Sequence, residues 1–123
     1  MRGTPVNVQE MREHVNALAA AHEIAVETRH VIRLRDSFAL READGASDEI
    51  NVAPIRSALS YAVALHEIGH ILGCYQASPC VMTRERWAWK WARRHAIVWT
   101  PAMERYAAKS LAWYEFRHPE HCR

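Results

Sequence analysis

The sequence predicts an α+β domain, mainly helical, in which about three short strands form a small antiparallel sheet ahead of a central helix. Three observations carry this. Apolar residues recur at helical spacing over residues 6–22, a stretch after them alternates instead, and residues 58–65 run apolar nearly all round, a pattern that soluble proteins reserve for a buried helix. At 123 residues, 50% hydrophobic and 24% charged, the chain suits one domain over 1–123 with a real core. No apolar run is long enough to span a bilayer, and Met1-Arg2-Gly3-Thr4-Pro5 lacks a signal peptide's apolar segment, so a cytoplasmic setting without membrane attachment is expected.

The elements follow in order. Val8, Met11, Val15, Leu18, Ala19 and His22 recur at three and four, with Glu10, Arg12 and Glu13 opposite, which predicts an amphipathic first helix. From 24 to 34 the period changes: Ile24, Val26, Thr28, His30 and Ile32 alternate with more polar neighbours, as in a half-buried strand. A shorter strand is expected around Ser37–Glu42, a turn over Asp44–Asp48, and a strand over Glu49–Ala53 that stops at Pro54. Ser57 opens the central helix and Gly73 can end it. Ser78-Pro79 and Thr100-Pro101 each pair an N-cap residue with a proline at the first helical position, predicting helices from about 79 to 98 and from 101 onward.

Inside the central helix lies His66-Glu67-Ile68-Gly69-His70. An HExxH stretch puts two imidazoles one turn apart on one face, where both reach a single Zn²⁺, and leaves the glutamate beside the metal's open position. A carboxylate buried between two histidines is costly unless a cation offsets it. The expectation is one zinc per chain, with Glu67 as the catalytic base of metal-assisted peptide hydrolysis.

A catalytic zinc usually takes three protein ligands. The metzincin pattern HExxHxxGxxH matches through Gly73 but meets Gln76 where the third histidine belongs. Glu85 is the better choice. It shares a stripe with Ala88, Trp89, Ala92 and Ala96, while Arg86, Lys90, Arg93 and Arg94 lie broadly opposite, and the alanines allow close approach to the HExxH helix. His95 is ten residues further on, roughly 15 Å along the helix, too far to share that metal. For the oxyanion donor Tyr61, Tyr75, Tyr106 and His95 all stand as candidates. Asn51, Val52 and Ala53 are candidates for a strand edge that pairs with an extended substrate.

Charge is uneven. Residues 1–83 carry seven Lys and Arg against ten Asp and Glu, whereas 84–123 carry nine against four, together with all five tryptophans. A basic, Trp-rich part can be a solvated helix face or a surface for nucleic acid. The alternative function is therefore a catalytically idle, zinc-stabilised interaction protein that binds a protein or nucleic acid through these C-terminal helices. Cys74, Cys80 and Cys122 form no CxxC pair and are expected as free thiols, although Cys74 and Cys80 bracket a loop and can pair on oxidation. The tail from His118 to Cys122 is metal-friendly but reads as a frayed terminus.

HEIGH after a short strand, then Glu85, Ala88 and Ala92 as Glu-x-x-Ala-x-x-x-Ala and Pro101 beyond them, resembles the ImmA/IrrE-type metallopeptidases, small gluzincin-like proteins of bacteria, phages and mobile elements. The resemblance covers roughly residues 49–101. It implies a minimal zincin-like fold, zinc on His66, His70 and Glu85, and Glu67 as base. It also implies a protein substrate, in that family often a helix-turn-helix repressor. Two features depart from the family: Trp89 stands where an Asn is usual, and the spacing from Ala92 to Pro101 is longer.

Overall fold

The computed structural model describes residues 5–41 and 48–118. Most of the turn expected over Asp44–Asp48, and the tail beyond His118, fall outside these residues. In order the elements are α1 (Val8–Ala21), β1 (Ala25–Glu27), a 3₁₀ turn (Leu34–Asp36), β2 (Phe38–Leu40), β3 (Glu49–Asn51), α2 (Ala58–Leu72), α3 (Val81–His95) and α4 (Pro101–Arg117). This is the mainly helical α+β architecture expected. Among the described residues no helix is long and apolar enough to cross a membrane.

The caps explain most helix starts. Asn7 accepts from the Glu10 N–H and Glu10 reaches back to Asn7, Ser57 and Ser60 do the same for α2, and Thr100 accepts from Met103 N–H ahead of Pro101. The start of α3 differs from expectation. Cys80, not Ser78, is its N-cap, accepting from Thr83 N–H, and the helix ends at His95 rather than near 98. Ser78 instead accepts the Cys80 N–H on its hydroxyl and the Arg84 guanidinium on its carbonyl, holding the turn before the helix. Cys74 is an exposed free thiol and Cys80 is disulfide-bonded, so the free-thiol expectation fails for Cys80.

The strand predicted over 24–34 survives only as Ala25–Glu27. Glu27 turns its carboxylate onto the backbone N–H and guanidinium of Arg29, which closes the strand, and the alternation then slips: Val31 is buried while Ile32 is 92% exposed. The sheet has the order β1-β3-β2, with β3 parallel to β1 and antiparallel to β2. It is mixed, not antiparallel, because β2 runs back to the level where β1 began, and β3, starting there, lies alongside β1 in the same direction. β3 is consequently the middle strand. Asn51, Val52 and Ala53 are all buried, and the Val52 N–H is taken by Glu27, so these residues offer no open edge.

The core gathers Met11 and Val15 from α1, Ile50 from β3, Leu65 and Ile68 from α2, and Trp89 from α3. α2 packs most extensively on α3. Gly69 makes that approach close: a Cβ there would lie 2.5 Å from the carbonyl oxygen of Ala88. The obstacle is backbone, which cannot rotate away. Gly69→Ala is therefore expected to cost about 1–3 kcal/mol through forced separation of the two helices, read as a lowered urea midpoint, and to weaken metal binding because Glu85 moves with α3.

Candidate metal centre

Two adjoining helices assemble the site. α2 sets His66 and His70 on one face, and α3, brought close by Gly69, Ala88 and Ala92, presents Glu85 between them. Glu85 Oε1 lies 3.0 Å from His66 Nε2 and Oε2 lies 2.7 Å from His70 Nε2. The three ligand atoms are all within 4.8 Å of one another, a group that could hold a metal ion. His66 and Glu85 are buried, and His70 is half-buried.

The remaining ring nitrogens show that the donor set suits a metal. His66 Nδ1 donates to Glu67 Oε2 at 3.1 Å, and His70 Nδ1 meets Gln76 Oε1 at 2.9 Å. Gln76 has no freedom to flip, because its amide nitrogen donates to the carbonyls of Cys74 (3.2 Å) and Arg84 (2.8 Å). Its oxygen must then accept, so His70 holds a proton on Nδ1 and points Nε2 at the Glu85 carboxylate. Gln76, rejected as a third ligand at the metzincin position, is instead the residue that orients the second one. The loop reaches it through Tyr75, whose backbone is left-handed (φ 58°). Gln76→Leu is expected to lower metal affinity about 10–100-fold, measured by competition with a chromophoric chelator, with Gln76→Asn tested for partial recovery.

His66 is also stacked on Trp89, centroids 4.1 Å apart and planes 17° from parallel. Two of the candidate ligands are strongly displaced. Burial pulls His66 down, but the carboxylates of Glu67 and Glu85 outweigh it and raise the imidazole to about 9. Burial pushes Glu85 up, but hydrogen bonds from His66 and His70, and their charge, lower it to about 2. The raised His66 stabilises the metal-free fold fully below its ordinary 6.5 and loses that contribution as pH rises through about 9. The depressed Glu85 contributes above its ordinary 4.5 and loses it as pH falls through about 2. Metal-free stability is thus expected to peak between pH 4.5 and 6.5. Above that window it should fall by at most about 1.4 kcal/mol per pH unit. Denaturation midpoints taken with chelator across pH 3 to 10, roughly the range in which these groups titrate, check this.

A cleft of about 630 Å³ opens over His66 and Glu67. Val63 and Trp89 lie beside them, α4 contributes Tyr106, Trp113 and Tyr114, and the stretch 34–37 forms the facing wall. Of the expected oxyanion donors, only Tyr106 is there. Tyr61 is wholly buried elsewhere: its hydroxyl accepts the Ile97 N–H at 3.0 Å and shares a hydrogen bond with His14 Nδ1 at 2.6 Å, joining α2 to α1 and to the α3–α4 connection. His95 is exposed, stacked on Trp91 and bonded to its carbonyl. Tyr75 is exposed and packs on Trp87.

Tyr114 was missed as a site residue. It sits eight residues, about two turns, after Tyr106 on the inner stripe of α4, and that shared stripe was the available signal. Burial and the Glu85 and Glu67 carboxylates push its phenol up to about 12, and burial and Glu67 raise Tyr106. Both stay protonated donors near neutral pH. Of the basic, Trp-rich segment, Arg93 forks onto Glu104 and lies over Trp99, Lys90 covers Trp87, and Trp89 is core. Comparison of the chain with protein-family models, curated proteins and solved structures finds no match.

Proposed function

We propose that this chain is a zinc-dependent metallopeptidase of the ImmA/IrrE type that cleaves a peptide bond in a protein substrate in the cytoplasm. The observation that carries the reading is the convergence of His66, His70 and Glu85, each ring held by its far nitrogen, with Glu67 beside them in an accessible cleft. Two imidazoles and a carboxylate leave a fourth position open on zinc, the pattern of catalytic rather than structural sites. Bound there, zinc supplies a Lewis acid and an acidified water.

The chain's own residues do the rest. Glu67 accepts the water's proton and passes it to the leaving amine. Tyr106 and Tyr114 offer O–H donors to the oxyanion that forms on the substrate carbonyl. Trp89, flat against His66, keeps that imidazole in plane and shields it from water. The substrate-pairing edge moves from β3 to β2, whose partner among the described residues is β3 alone and which follows directly on Ser37, a residue that lines the cleft. A helix-turn-helix repressor is the substrate class to which the resemblance points.

The test is cleavage of a proteome-derived peptide library, read as new N-termini by mass spectrometry. New termini that appear with zinc-replete protein and vanish with chelator support the reading. An unchanged library, alongside capture of intact protein or nucleic acid, would favour the idle interaction protein.

A further inference from the structure

Among the described residues the buried side-chain polar atoms without a hydrogen-bond partner are Ser37 Oγ and Trp89 Nε1. Both residues line the cleft over His66 and Glu67. Native folds rarely leave such atoms orphaned, and each one calls for an explanation, an ordered water, an ion or a role at a functional site among them. Trp89 N–H can only donate, so it calls for a carbonyl, whereas the Ser37 hydroxyl can donate or accept. A peptide backbone supplies both kinds of partner.

The walls describe the side chain that comes with that backbone. On α4, Tyr106, Trp113 and Tyr114 face the cleft, and Leu34 lies on the other side. Trp113 is 51% exposed although large and apolar, which leaves ring surface at the mouth to be covered. The charges lining the cleft are mixed, Glu67 and Asp36 against Arg35 and Lys109, so an acidic and a basic substrate side chain would each meet like charge. A large uncharged side chain meets neither objection and buries aromatic surface.

We propose that the cleft selects a peptide by a large apolar side chain, aromatic or branched aliphatic, next to the scissile bond, with Trp89 and Ser37 holding the adjoining backbone. This rests on the metallopeptidase reading and adds its substrate class. Trp113 and the tyrosines set specificity, and the two orphaned atoms set affinity without regard to the side chain.

The test reads binding rather than turnover. Zinc-loaded Glu67→Gln protein is titrated with N-acylated dipeptide hydroxamates that differ in one side chain: benzyl, isobutyl, methyl or carboxymethyl. The benzyl and isobutyl members should bind about tenfold or more tightly than the methyl one, with the carboxymethyl member weakest. In Trp113→Ala, an exposed position that folding tolerates, the benzyl-to-methyl ratio should drop to about threefold or less. Ser37→Ala and Trp89→Phe should weaken every member by a similar factor, about fivefold, and leave the ratio intact. Equal affinity across the series, preference for the carboxymethyl member, or no binding to protein that holds one zinc overturns the assignment. Zinc content measured on the same samples separates these results from failure of the metal reading, which would remove the assignment with it.

Discussion

Glu67→Gln is expected to lower peptide hydrolysis by about 10²–10⁴-fold while zinc stays at one per chain. The amide is the same size as the carboxylate, and its oxygen still accepts from His66 Nδ1, where Glu67 Oε2 now sits at 3.1 Å. The tautomer of His66 and the direction of its Nε2 are therefore retained. What is lost is the ability to take a proton from water. Initial rates on a cleaved library peptide, with elemental analysis beside them, decide the matter. Retention of activity within about threefold, less than any general base contributes, would remove Glu67 from the mechanism.

Glu85→Ala should act on the metal itself. The loss in zinc affinity should exceed the roughly 10–100-fold that follows removal of a merely supporting residue, because one of three protein ligands goes. Two further signs distinguish a ligand from a structural acid. Glu85→Gln, which keeps the shape but not the charge, should bind zinc poorly as well. The acid limb of the metal-free stability curve should also flatten in both variants, since the group lowered to about 2 is gone. Wild-type zinc affinity in Glu85→Ala would mean that the ligand set is wrong.

Much of the candidate metal site was legible in the linear chain because its information is local. His66 and His70 meet through helix periodicity alone, and the apolar run around them announces that the helix is buried. Glu85 was legible at one remove: an acid on a stripe of alanines has a reason to be there only if something positive faces it. The helix starts at Ser57 and Thr100 were readable for the same local reason, since the cap and the groups it satisfies are within three residues.

The errors share a cause too. Tyr61 and Tyr106 are both tyrosines on helical stripes, and nothing local says that one hydroxyl is taken by His14 and Ile97 while the other faces Glu67. The alternation from 24 onward promised a longer strand, but strand length is set by the partner, and β3 offers three residues. Whether 49–53 is an edge or a middle strand depends on where a connection of some twenty residues returns the chain, which no periodicity encodes.

Composition, periodicity and spacing alone thus specified the helices, the starts of α2 and α4 at Ser57 and Thr100, and a histidine pair with an acid able to join it. Only packing decided which tyrosines line the cleft, that Gln76 orients His70, and that β3 is the middle strand with β1 and β2 outside it. The physical reason is the range of the forces involved. Hydrogen bonds within a helical turn are fixed by neighbours in sequence, whereas the direction of a side chain across an interface is fixed by close-packed atoms from distant segments, as the Gly69–Ala88 contact is.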